Sequence, residues 1–232
     1  MFRFVAAFVA CLFAAAAAAA DLPRDARLGV VDAIAPRLSA GFGRATLAAK
    51  APTIRDDWKL GAVARDEAIQ RLAGLGYRAS AAMLPADLAD VVRRGGALRT
   101  SATGVRLDDA FERSLERWMR ERKLDGIVLL RSLAGPLETG APAQSGYGIA
   151  RRGDGSVAYA NLAPLLVHGT PPAIASAPQC LVTVPVDRAL VEKPAKLAEL
   201  MPLGPALKDV LRKATDGALI RAGVMHGDAA CE

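Results

Sequence analysis

The chain is poor in the residues that build recognisable active sites. It holds two histidines, His168 and His226, and three cysteines, Cys11, Cys180 and Cys231, in 232 residues. None of them falls into CxxC, HxxxH or HExxH spacing, so no metal site is read from the sequence. Ser145 in AQSGYG is not the serine of a GxSxG turn, which removes the usual signature of a serine hydrolase. No GxxxxGKS or GxxxxGKT occurs. The GxG triplets starting at Gly41, Gly74 and Gly146 do not stand between a strand and a following helix, where a phosphate-binding loop needs its glycines. They read as a bulge, a helix stop and a strand start, and no cofactor is expected. Aromatic residues make up 5%, and 30 Lys and Arg against 24 Asp and Glu leave a formal charge of +6. A mild basic excess without aromatic interleaving argues against a nucleic-acid partner. These arginines read as solvated faces, with attraction to anionic lipid or cell-wall polymer as the functional alternative.

One long hydrophobic run is present, and it lies at the start. Arg3 precedes Phe4 to Ala20, which ends in three alanines and meets Asp21-Leu22-Pro23. A basic start, an apolar centre and a small-residue exit are the parts of a secretory signal peptide, so residues 1–20 are expected to leave and the mature chain to begin near Asp21. An uncleaved anchor is the rival reading, although much of the run is Ala, which inserts weakly. A lipid-modified Cys11 is the third. After cleavage no stable transmembrane segment is expected, and a periplasmic or secreted location follows. Such a compartment permits disulfides, and Cys180 and Cys231 are the two cysteines left to pair. A free Cys231 and a bridge to a second chain remain the alternatives. Residues 21–226 are expected to form a single domain, with 227–232 as a tail that is loose unless Cys231 ties it down.

The clearest elements are a helix and the strand behind it, in LDDAFERSLERWMRERKLDGIVLLRS. Asp109 and Glu112 fit a capping box, and Phe111, Leu115, Trp118 and Met119 lay one apolar stripe along the helix. Ile127 to Leu130 is an unbroken apolar run, the pattern of a strand covered on both faces. Around them the sequence predicts a strand over 27–33, an irregular strand pair over 35–50, and a helix from Trp58 with Ala62, Ile69, Leu72 and Ala73 inward. A strand over 77–83 and a short helix after Pro85 follow. Residues 97–106 read as a polar connection and 133–145 as a long loop. A hairpin is predicted from 146–152 and 156–167, a link over 170–178, a strand from Cys180 with Pro185 marking an edge, and helices over 195–201 and 205–222. The fold class is α/β: a mixed sheet, parallel at first and extended by an antiparallel hairpin, covered by helices.

In such sheets ligands bind beyond the carboxyl ends of the parallel strands. The polar residues placed there are Arg131, Ser132, Glu138 and Ser145, which become the candidate ligand-binding residues. The bland reading is a solvated surface loop. The element order of RLGVVDAI, LDGIVLL, SGYGIARR and SVAYANLAPLLV resembles the small α/β envelope domains of the TolB amino-terminal and CsgG kind, and many exported proteobacterial proteins. It covers residues 27–190 without a diagnostic motif, so no functional residue carries over. The resemblance implies a binding or assembly role in the envelope, with an envelope protein or cell-wall component as partner. A hydrolase using Ser132, Glu138 or Ser145 is the alternative.

Overall fold

The computed structural model describes residues 22–34, 37–40, 53–55, 59–101, 104–137, 143–176, 178–187 and 202–232. Along the chain come β1 (Arg27–Asp32), β2 (Arg37–Ala40), β3 (Thr53–Arg55), α1 (Leu60–Gly74), β4 (Arg78–Ala82), α2 (Ala86–Arg93), β5 (Leu98–Ser101), β6 (Gly104–Leu107) and α3 (Asp109–Arg122). Then follow β7 (Gly126–Leu130), β8 (Ala134–Pro136), β9 (Ala143–Arg152), β10 (Gly155–Leu162), β11 (Leu165–His168), β12 (Ala173–Ser176), β13 (Cys180–Val186) and α4 (Gly204–Arg221). The first sheet has the order β12-β11-β7-β1-β4, and the second β13-β10-β9-β2-β3 with β8 added to β9. In the first sheet β1 is parallel to both β4 and β7, whereas β11 and β12 are antiparallel. The chain is therefore α/β with a mixed sheet, and the predicted antiparallel hairpin, β9–β10, extends not that sheet but the second one, which it shares with β13, β2, β3 and β8.

Burial on both faces explains why β7 carries no polar side chain and why β1 carries none between Arg27 and Asp32. Leu28, Val30, Val128 and Leu130 face one core, and Val31, Ile127 and Leu129 face another, filled by Phe111, Leu115, Trp118 and Met119 of α3 and Leu88 of α2. The first core is shared between the sheets. Leu60, Ala64, Ala68 and Leu72 of α1 and Leu207, Val210, Leu211 and Ala214 of α4 meet Tyr147, Ile149, Ala158 and Ala160 of the second sheet there. α1 and α4 are thus a helical layer between two sheets, joined at the surface where Arg71 donates to both carboxylate oxygens of Asp216 at 2.8 and 2.7 Å.

The two sheets are one ladder at a single place. β11 pairs with β7, and the same two segments continue past Pro164: Ala163 N donates to Arg131 O at 2.8 Å, Ser132 bridges Leu162, and Leu133 N donates to Asn161 O at 3.2 Å. The apolar run 156–167 is therefore two strands, β10 in one sheet and β11 in the other, and not one arm of a hairpin.

Several local expectations are corrected. The buried face of α1 is Leu60, Gly61, Ala64, Ala68 and Leu72, while Ala73 is exposed and Ala62 and Ile69 are half-buried. Small residues fill this face because α4 packs against it, and a periodicity built on the larger side chains misses that. Residues 97–106 contain the β5–β6 hairpin, 173–176 form β12, and β8 with the start of β9 shortens the 133–145 loop. The cap of α3 is Asp108, whose carboxylate accepts from Ala110 N at 3.0 Å and Phe111 N at 3.3 Å, whereas Asp109 pairs with Arg106 on the surface. Arg99 and then these amides hold the Asp108 carboxyl below its usual range. Asp108→Ala is expected to lower the urea midpoint clearly and Asp109→Ala to leave it nearly unchanged; the reverse order would return the cap to Asp109. The helix from Trp58 and the 195–201 helix begin or lie outside the described residues, as do Gly41 to Gly43 and residues 1–21.

The last residues are anything but loose. Cys231 is bonded to Cys180 with a Cα to Cα distance of 4.9 Å. Glu232 N donates to Leu181 O at 2.8 Å, and Arg152 Nη1 donates to Glu232 Oε1 at 2.7 Å. Arg221 reaches Gln179 O at 2.7 Å and Cys231 O at 3.1 Å. The Arg152 guanidinium, helped by the Thr183 hydroxyl, holds the Glu232 carboxyl below its ordinary value. A carboxyl lowered in this way stabilises the fold above its unfolded value near 4.3, and that contribution is lost as pH falls through the lower folded value. The stability difference between the native chain and Glu232→Gln is therefore expected at neutral pH and to shrink toward zero in acid; a difference constant down to pH 2 would show that the charge is not what holds this segment.

Candidate functional site

Three of the four candidate positions come together where the sheets join. Arg131 and Ser132 follow β7 directly, at the carboxyl end of a parallel strand, and Ser145 lies in β9 opposite Ala134. A Cβ placed on Gly146, which has φ 72°, would touch the Ser132 Cβ at 3.6 Å and its hydroxyl at 3.8 Å. Ser132 therefore lies against the backbone that carries Ser145. Glu138 falls outside the described residues.

The structure adds residues that the sequence reading passed over. Asn161 is fully buried, its carbonyl oxygen accepts from Gln179 Nε2 at 3.1 Å, and its Nδ2 has no acceptor among the described residues. That amide lies over Gly135, where an added Cβ would come within 3.0 Å of it. The sequence did hold a signal, since Asn161 is the one amide inside the apolar run SVAYANLAPLLV. Asp32, at the end of β1, is the other. Its Oδ1 accepts from Ile34 N at 3.0 Å, and the carboxylate sits against Gly61 in the first turn of α1, where the helix dipole favours negative charge. Gly61 leaves the space for it. Asp32 thus serves α1, which has no side-chain cap of its own at Lys59.

Arg131 gives the site its charge. It is half-buried, its Nε has no acceptor among the described residues, and burial pushes its pKa down from the usual arginine value without removing the proton. The ladder fixes its relation to Asn161. With Ser132 opposite Leu162, alternation puts Arg131, Leu133, Ala163 and Asn161 on one face of the two-stranded junction. One cation and one amide donor, both short of acceptors, therefore share a face at the end of the parallel strands. Such a set can hold an oxyanion or a carbonyl. Base catalysis on Ser132 would need a proton acceptor. His168 pairs with Gly126 at the other end of β7, about 20 Å away along the strand. No group of three or more metal-ligating side chains occurs among the described residues, and no described helix is long and apolar enough to cross a membrane.

No family model matches the chain. No curated protein matches it either. Among solved structures it is similar to a point variant of the PelC dodecamer from Paraburkholderia phytofirmans, at 12% identity over 87% of this chain and 91% of that one, with a TM-score of 0.36. It is also similar to a hypothetical protein from Chlamydia trachomatis, at 11% identity over 87% and 99%, with a TM-score of 0.40. At these scores the likeness assigns neither family nor role.

Proposed function

We propose that the chain is an exported, envelope-facing binding module that takes up an acidic group of its partner at the sheet junction, with Arg131 as the cation and Asn161 as the amide donor on the same face. The observation that carries this reading is the half-buried Arg131 guanidinium with no carboxylate partner among the described residues. Burial of a charge costs several kcal/mol, roughly, unless something compensates it, and an incoming anion is such a compensation. The Cys180–Cys231 bond supports an oxidising compartment, and with it the periplasmic or secreted location. The resemblance in sequence to envelope domains of the TolB amino-terminal and CsgG kind implies the same assembly or binding role, with an envelope protein or cell-wall component as partner.

Arg131→Met keeps an unbranched apolar stem and removes the charge. Stability is expected to stay equal or to rise, while capture of the partner in a pull-down from intact envelope falls about tenfold or more. Undiminished capture by the variant would remove Arg131 from the site. Turnover in a panel of ester, glycoside and phosphoester substrates, abolished by Ser132→Ala, would replace the binding reading with a hydrolase. Export has its own test: amino-terminal sequencing of the native protein should start near Asp21, and recovery of Met1 or Phe2 would refute cleavage.

A further inference from the structure

A second concavity lies at the opposite end of the parallel strands. It has a volume of about 390 Å³ and forms where α3 ends, β1 and β7 begin and the 169–172 turn passes below β11. Gly126 draws these parts together, since a Cβ there would meet Val167 O at 3.0 Å and Leu28 Cδ2 at 3.1 Å. Met119, Leu124 and Pro172 give the cleft its apolar lining, and Thr170 adds a polar residue.

The charges at its rim are not balanced in place. Glu116 is engaged by Arg120 at 2.6 Å, and the Asp125 carboxylate accepts the backbone N–H of Arg27 at 2.7 Å. Arg27 and Lys123 line the same cleft, both are exposed, and neither has a carboxylate within ion-pair distance among the described residues. Lys123 also occupies a position where another residue serves the backbone better. Its φ of 55° is left-handed, and Lys123 N donates to Arg120 O while Leu124 N donates to Met119 O. This is the helix-ending turn in which glycine is the usual residue. Helix termination alone does not account for a lysine there.

We propose that this cleft binds a small oxyanion-bearing ligand, with Arg27 and Lys123 holding the carboxylate or phosphate and the organic body resting on Met119, Leu124 and Pro172. The volume is at the lower end of the range of small-molecule sites, about 300 to 1,000 Å³, which suits a body the size of a single sugar or a dipeptide. This site is independent of the one at Arg131, because the two lie at opposite ends of β7.

Calorimetric titration of the full chain with glucuronate, glucose 1-phosphate and neutral glucose tests it. Both anions should bind and glucose should not, and the tighter anion tells whether the site reads carboxylate or phosphate. Arg27→Gln, which keeps the backbone bond to Asp125, should weaken binding about tenfold. Lys123→Gly should do the same while raising the melting temperature, because glycine suits the left-handed turn; lost binding then cannot be blamed on lost folding. Arg131→Met should leave this affinity unchanged, so the two sites succeed or fail separately. Absence of binding by both anions, equal binding of glucose, or an unchanged affinity in Lys123→Gly would overturn the proposal.

Discussion

Leu115→Ala is expected to lower the unfolding free energy by about 2 to 5 kcal/mol, and Arg117→Ala, two residues along the same helix, by no more than about 0.5. Leu115 is 0% exposed and packs in the core that Ile127, Leu129, Leu165 and Val167 share with Phe111, Trp118 and Met119. Its truncation removes the transfer energy of three carbons and leaves a void. The neighbours that would have to fill that void are strand residues of a sheet whose other face is covered by α1, so collapse is resisted and the upper part of the range is expected. Arg117 is exposed to water. Urea midpoints of the two variants measure the difference, and equal midpoints would mean that α3 presents another face to the sheet.

Those elements were legible in the sequence for the same reason that the mutation is costly. A strand buried on both faces, such as β7, has to be apolar at every position, and a helix laid on one face of a sheet has to be apolar every third or fourth position. Where burial is weaker or more complex the pattern fades. The β5–β6 hairpin is mostly exposed, so LRTS and GVRL show no alternation, and the structure makes it a pair on its own. The run SVAYANLAPLLV is apolar through both of its strands, and hydrophobicity cannot show that it changes sheets at Ala163-Pro164. Arg131 and Ser132 could be placed because the end of an unbroken strand can be counted. Gln179 could not, since only the long-range pairing of β13 with β10 brings it to Asn161. Asn161 itself was visible as a polar residue in an apolar run, but it acquires meaning only beside Arg131.

Gly217 was the least legible residue of all, and it leads to the other large effect. A glycine inside a helix costs roughly 1 kcal/mol relative to alanine, and the sequence around Gly217 offers no reason to accept that. The structure does. A Cβ at Gly217 would lie 2.5 Å from the Cys231 sulfur and 2.8 Å from the Cys180 sulfur, so α4 can lie against the disulfide only where it has no side chain. The bond closes a loop with a sequence separation of 51 residues, for which the chain-entropy model gives roughly 4 kcal/mol. Cys180→Ala with Cys231→Ala is expected to cost about 2 to 5 kcal/mol, and neither cysteine of the denatured, unreduced native chain should accept a thiol label. Gly217→Ala tests the packing. In the native chain it should destabilise despite the better helix propensity, because two sulfurs held by a bond cannot both retreat. In the cysteine-free background the obstacle is gone, and the same substitution should stabilise by about 0.5 to 1 kcal/mol. That change of sign is the decisive result. If Gly217→Ala has the same effect in both backgrounds, or if reductant leaves the native midpoint where it was, the disulfide is not what shapes this face of α4.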